Sequence, residues 1–294
     1  MIWKRWVALW DHREPPAQLA LVRIGVGAVA CADLVYARLA GLAGVLWAPA
    51  PAGYATGYQP WFGLDGQAWW LIAAIAAAAI ALGAGTRVAC LVYVAASLQL
   101  SRLAPASESA LDVLYRMVPL VLACSRCNAR WSIDAAIARA LGRPRAAEVP
   151  AWPRYLLLVQ LVWIYFSAGI NKSGAEWGPF GGFTALADAA VDPHAARFAA
   201  GWVQTLLPLT RVATALAIAF ELAAPLYLVA LYRRWRVRWV WFGLGVAFEV
   251  GLALVLRLGD FPFGMLALYP ALLVPADLQR LNTAEPAKRA SSPS

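Results

Sequence analysis

The sequence predicts an all-α, polytopic integral membrane helical bundle of about eight transmembrane helices, with both termini cytoplasmic. Three observations predict it. Hydrophobic residues make up 62% of the 294-residue chain and charged residues only 14%, and the mean hydropathy of +0.62 is too high for an ordinary soluble domain. Apolar runs of near-spanning length recur along the chain between short basic connections. The 15 Trp and ten Tyr gather toward the ends of those runs, as at Trp69-Trp70 and Trp239-Val240-Trp241, the pattern of an interfacial aromatic belt. The net charge of +9 sits in the connections, so it reports orientation in a lipid bilayer and does not point to nucleic acid.

In chain order, residues 1–16 carry Lys4, Arg5 and Arg13 and lead into an apolar run without a small-residue cleavage site, which predicts an uncleaved cytoplasmic segment. A transmembrane domain is predicted over 17–281, with spans at 17–38, 67–83, 86–103, 110–124, 152–172, 209–232, 237–256 and 261–274. The short runs 110–124 and 261–274 are the ones expected to be tilted or re-entrant. Threading the chain from a cytoplasmic amino terminus places most of the 25 Lys and Arg on the cytoplasmic side, Arg87, Arg126, Arg130 and Arg154 among them. Residues 132–141 read as a short amphipathic helix on that face. The outer connections 39–66 and 173–208 are long and aromatic, which predicts interfacial helices or a lid. The polar residues 282–294 read as a disordered tail.

The four cysteines and two histidines define no metal site. Cys124 and Cys127 have C-x-x-C spacing, but no second pair and no strand-helix context accompany them.

Charge inside the apolar runs marks the functional candidates. Lys172 ends the run 152–172, just after the small residues Ser167, Ala168 and Gly169, which allow close approach of another helix. Two readings stand. Lys172 is either a snorkelling anchor at the membrane surface or a base, a lysine whose apolar surroundings disfavour the ammonium form. Gln160, Ile164, Ala168 and Lys172 share a helical stripe flanked by Tyr165 and Gly169. Arg23, Asp33, Asp112, Arg116, Glu221 and Glu249 also fall within spans. The threading puts Asp33, Asp112, Arg116 and Glu249 in the middle or the same half as Lys172, which suggests one outward-opening polar cavity. Asp112 and Arg116, at i and i+4, are alternatively a self-neutralising pair, and Glu221 and Glu249 each alternatively satisfy a nearby hydroxyl or arginine.

The string Tyr165-Phe166-x-Ala168-Gly169-Ile170-x-Lys172, followed by Glu176-Trp177, resembles the segment that carries the catalytic lysine of vitamin K-dependent γ-glutamyl carboxylases, part of the wider HTTM (horizontally transferred transmembrane) domain family. Phe248, Gly259-x-Phe261-Pro262 and Met265-Leu266-Ala267 resemble a second segment of that family, and Arg130-Trp131-Ser132-Ile133-Asp134 a third. The resemblance spans about residues 18–281.

It implies a carboxylase-like membrane enzyme, a carbon-carbon lyase and quinol epoxidase. Lys172 would be the base toward vitamin K hydroquinone or menaquinol, with O2 and CO2 as co-substrates and a glutamyl residue of a secreted peptide or protein as the carboxylated group. Tyr165, Asn171, Trp177, Asp33 and Arg116 are the candidate substrate-binding residues. Glu249 is the candidate proton relay, standing where animal carboxylases have histidine; Asn171 departs from their paired lysines. The expected location is a bacterial inner membrane, with Lys172 near the periplasmic or extracellular face. The alternative is a non-enzymatic protein that binds lipid or quinone, or an accessory to maturation of a secreted peptide, a role that some relatives perform for peptide toxins.

Overall fold

The computed structural model describes residues 2–48, 57–143, 146–233 and 236–278, so the expected tail at 282–294 lies outside the described residues. The chain is mostly helical and divides into two compact units, Met1–Tyr155 with Tyr269–Ser294, and Leu156–Leu268.

The first unit contains α1 (Ile2–Asp11), α2 (Ala17–Leu39), α3 (Leu42–Leu46), α4 (Gly66–Leu82), α5 (Thr86–Leu103), α6 (Ala110–Cys124), α7 (Ile133–Ala140) and the first turn of α8 (Trp152–Asn171). Strand β1 (Arg13–Glu14) pairs antiparallel with β2 (Val149–Pro150), a small departure from the all-α expectation. Helix α2 packs on α4, α4 on α5 and α5 on α6. Small residues make the first contact close. A Cβ added at Gly27 would lie 2.8 Å from Ala81 Cα and 2.9 Å from the Ala77 carbonyl oxygen, and Ala73, Ala76 and Ala77 are buried.

Arg23, a functional candidate by its place in an apolar run, is structural. It is fully buried and donates to the carbonyls of Ile80 and Ala81, both at 2.6 Å, and of Trp131 at 2.5 Å, so it ties the last turn of α4 to the segment before α7. Gly83 then ends α4 in the left-handed conformation at φ 69°, where glycine has no Cβ penalty. The Ser132-Ile133-Asp134 string is a latch across this turn. Ser132 caps α7, and Asp134 accepts from Gly85 N (2.7 Å), Thr86 N (3.1 Å), Thr86 Oγ1 (3.0 Å) and Asn128 Nδ2 (2.6 Å). Burial opposes ionisation of Asp134, but these hydrogen bonds prevail and hold its carboxyl below the ordinary aspartate value.

The alternative Asp112–Arg116 pair does not form. Asp112 closes a capping box with Ser109 at the start of α6, accepting from the Ser109 backbone at 2.7 Å, while Arg116 pairs with Glu108. The Ser101 hydroxyl and Arg116 together hold the Glu108 carboxyl below its usual range.

Where β2 leads into α8, Arg154 forms a buried two-pronged ion pair with Glu14, at 2.6 and 2.9 Å, and donates to Ala271 O at 3.0 Å. It joins the amino-terminal strand, the start of α8 and the returning segment after residue 268. Orientation in the membrane was the sequence reading of this arginine; a buried clamp is what it makes.

The second unit holds the rest of α8, then α9 (Ala185–Val191), α10 (Gly201–Thr205), α11 (Leu207–Leu222), α12 (Ala224–Tyr232), α13 (Val237–Val255) and α14 (Phe261–Leu268). Helices α11 and α12 bend by 53°. Pro225, at the start of α12, lacks the amide that would continue the ladder. The connection 173–208 folds into short helices: Ala187, Ala190 and Val203 form a buried cluster, and Leu186 N donates to Thr214 Oγ1 of α11 at 3.2 Å.

Helices occur at every apolar run expected to span. By length and composition three are able to cross a bilayer, α2, α8 and α13, and the bent pair α11–α12 makes a fourth. Helix α4 and the segment 261–272 are apolar but shorter.

Candidate functional site

Lys172 follows the last residue of α8, and the second unit gathers α11 and α13 around the same end of that helix. The buried stripe of α8 is Leu157, Leu158, Leu161, Val162, Tyr165 and Gly169, so the Gln160-Ile164-Ala168-Lys172 stripe runs along its half-buried edge. Tyr165 and Lys172, at i and i+7, sit two turns apart, with Gly169 between them. The predicted close approach occurs at that glycine: an added Cβ would fall 3.1 Å from Glu221 Cβ and from Leu222 Cδ2 of α11.

The approach brings Glu221 onto Lys172. The lysine ammonium binds both carboxylate oxygens of Glu221, whose side chain is 3% exposed against 21% for the lysine. Lys172 Nζ also lies 4.8 Å from the Trp177 ring centroid, a cation–π contact. This corrects the expectation of a lysine held by apolar surroundings alone. A carboxylate 49 residues further along the chain holds it.

A second polar pair sits two turns back along α8. The Tyr165 hydroxyl donates to Glu249 Oε1, and Glu249 is fully buried with its Oε2 lacking any hydrogen-bond partner among the described residues. Aromatic rings enclose this pair. Tyr165 meets Phe220 edge-on at 5.0 Å, Trp241 at 5.9 Å and Phe248 at 6.2 Å; Phe220 stacks on Trp241 at 4.7 Å. The two pairs are electrostatically linked, since the Glu249 carboxyl lies within Coulombic reach of both Glu221 and Lys172.

Of the residues singled out from sequence, Lys172, Glu249, Tyr165 and Trp177 thus come together in the second unit. Asn171 is adjacent but exposed, and its amide donates to Ser167 O of its own helix at 2.8 Å, so it is not held for an incoming oxyanion. Asp33 and Arg116 belong to the first unit, on α2 and α6, where Arg116 pairs with Glu108. Sequence reasoning missed Glu221 as the partner of Lys172 and missed Phe220, and it assigned Trp241 to an interfacial belt, whereas Trp241 is buried against Tyr165 and Phe220. One signal was present. Phe-Glu occurs twice in apolar runs, at 220–221 and 248–249, and both copies converge on α8.

The HTTM domain family model matches residues 12–277, nearly the whole chain. The chain belongs to the HTTM domain family. No curated protein and no solved structure matches it. In this HTTM protein the Tyr165-to-Trp177 string supplies the Lys172 of the ion pair with Glu221, and the Phe248 segment carries the Glu249 carboxyl. Among the described residues, no group of three or more His, Cys, Asp or Glu is arranged to hold a metal ion.

Proposed function

We propose that the second unit of this HTTM protein is the reaction centre of a quinol-dependent, vitamin K-dependent carboxylase-like membrane enzyme. The single observation that carries the reading is a lysine ion-paired to a buried carboxylate within Coulombic reach of a second buried carboxyl, Glu249, that aromatic rings enclose. HTTM domains occur in carboxylase-like membrane proteins of this kind. The residue types suit an isoprenoid quinol: aromatic side chains for a ring, an amine able to accept a phenolic proton once neutral, and an unpartnered buried acceptor at Glu249 Oε2.

When bound, vitamin K hydroquinone or menaquinol with O2 supplies an oxidation strong enough to drive abstraction of a glutamyl γ-proton, after which CO2 is captured. The protein's own part is proton handling. Lys172 must present a neutral amine to accept a proton, and Glu221 supplies the means by taking the ammonium proton across their shared hydrogen bond. Trp177 keeps the amine at the end of α8. Glu249, bonded to Tyr165, is a relay that does not need the histidine of the animal enzymes. The substrate would be a secreted peptide or protein at the non-cytoplasmic face of a bacterial inner membrane, with eight spans and both termini cytoplasmic; the three helices and one bent pair able to cross a bilayer are in keeping with a membrane bundle.

The test is quinol turnover by the full chain in lipid nanodiscs, following epoxide formation under oxygen. Wild type is expected to turn over, with at least about a hundredfold loss in Lys172→Ala and in Glu221→Gln. No epoxide from vitamin K hydroquinone or menaquinol in folded wild type rejects the enzyme reading. One observation favours a second, non-enzymatic reading, as a lipid- or quinone-binding or peptide-maturation accessory protein: the Lys172 ammonium is already satisfied by Glu221 and Trp177, as a structural anchor would be.

A further inference from the structure

The latch of the first unit borders a cavity of about 530 Å³ that plays no part in the chemistry proposed for the second unit. Its volume falls within the roughly 300–1,000 Å³ range of small-molecule sites. Thr86 and Arg87 from α5, Arg126 and Asn128 from the segment after α6, and Asp134 from α7 line it. Arg87 and Arg126 are exposed, and among the described residues neither guanidinium has an ion-pair or hydrogen-bond partner. The acidic member of the lining is already committed. Asp134 accepts four hydrogen bonds from Gly85, Thr86 and Asn128, and it also feels the charge of buried Arg23. The free charge facing the cavity is therefore positive and carried by two planar forks on separate elements.

We propose that this cavity binds a phosphate ester through Arg87 and Arg126. A guanidinium matches two oxygens of an oxyanion side by side. A carboxylate offers one such edge, whereas a phosphate presents enough oxygens for a fork from each arginine. The cavity leaves room for the group esterified to the phosphate. Its surroundings suit a lipid: Val88 lines the cavity, and Leu91 and Val92 continue from it by one turn along α5, with Val88 68%, Leu91 54% and Val92 38% exposed, so acyl chains have apolar helix surface to follow. A soluble phosphate ester would use the same two arginines without that surface.

The experiment is calorimetric titration of the full chain in amphipol with dihexanoyl phosphatidic acid, inorganic phosphate and, as a zwitterionic control, dihexanoyl phosphatidylcholine. Saturable binding of the phosphatidic acid is expected, weakened about tenfold by Arg87→Gln or Arg126→Gln and unaffected by Arg139→Gln, a surface arginine on α7 outside the lining. Phosphatidic acid binding well above inorganic phosphate assigns the site to a lipid headgroup; equal binding assigns it to a soluble phosphate, and both support the proposal. Absence of binding to wild type overturns it, as does an equal loss in Arg139→Gln. Should a glutamine variant fail to fold, Arg87→Lys and Arg126→Lys replace it. They keep the charge and lose the fork, so wild-type affinity in both would overturn the two-fork geometry.

Discussion

Removing one member of the Lys172–Glu221 pair exposes how much of this centre is structural. In Lys172→Ala, a Glu221 carboxylate only 3% exposed loses its countercharge in an apolar helix bundle. Breaking a buried ion pair from one side costs about 3–5 kcal/mol. The lysine is itself 21% exposed, so solvent already screens part of the attraction and the lower figure applies. Loss of the contact with Trp177 adds about 0.5–1 kcal/mol. The expected destabilisation is therefore about 3.5–4 kcal/mol. Glu221→Gln costs less, since a lysine at a helix end can swing its ammonium toward water. The double variant Lys172→Ala/Glu221→Gln leaves no unpaired charge and should be more stable than Lys172→Ala alone, with a coupling energy of about 2–3 kcal/mol. The assay is equilibrium unfolding in mixed micelles, read by tryptophan fluorescence across the double-mutant cycle. Single variants each costing under about 1 kcal/mol, with additive behaviour in the double, would refute the reasoning and make the pair a screened surface contact. The cycle also supplies the folding control for turnover: activity lost in Lys172→Ala bears on chemistry only where the protein remains folded.

Three other outcomes are expected. Arg154→Leu strands Glu14 in a clamp whose side chains are 4% and 1% exposed, at a cost of about 3–5 kcal/mol that Glu14→Leu should largely restore; a thermal melt unchanged by Arg154→Leu would contradict the clamp. The Asp134 carboxyl titrates below its ordinary value, so its contribution is complete at neutral pH and is lost as pH falls through its lower folded-state value; Asp134→Asn should reduce stability at pH 7 and flatten that acid limb, and an unchanged limb would count against the latch. Tyr165→Phe deletes the hydrogen bond to Glu249 and should cost about 1–3 kcal/mol, whereas an unaltered melting temperature would mean that the carboxyl has found another partner.

The helices were legible in the sequence because a bilayer constrains length and polarity within each segment, and a local pattern records a local constraint. The expected run 152–172 becomes α8, Trp152–Asn171, and 86–103 coincides with α5, Thr86–Leu103. Local capping chemistry was equally present at Ser109-x-x-Asp112, although the i, i+4 spacing to Arg116 suggested a competing pair. The bend between α11 and α12 had its cause in Pro225, yet hydropathy alone joined the two helices into one run.

What was not legible is which charge meets which, since a charge in an apolar run announces that it needs a partner without naming one. Arg23 meets backbone carbonyls of α4, and Arg154, counted among the basic residues that orient the chain, meets a glutamate 140 residues away. Lys172 and Glu221 were both visible as intramembrane charges, but their pairing depends on the close contact at Gly169, which a small-residue pattern permits without specifying the helix that arrives. The same reasoning distinguishes the candidate site from the structural pairs. The guanidinium of Arg154 and both oxygens of Glu14 are engaged, as a clamp requires, and Arg23 closes onto three carbonyls while its buried Nε stays unpartnered. Glu249 keeps one fully buried oxygen unpartnered, beside a lysine that is one-fifth exposed. Unpartnered buried atoms occur in the first unit too, at Arg23 Nε and the Gln18 amide, so what distinguishes the candidate site is an open carboxyl acceptor within Coulombic reach of an ion-paired lysine, where an arriving hydrogen-bonding group gains most.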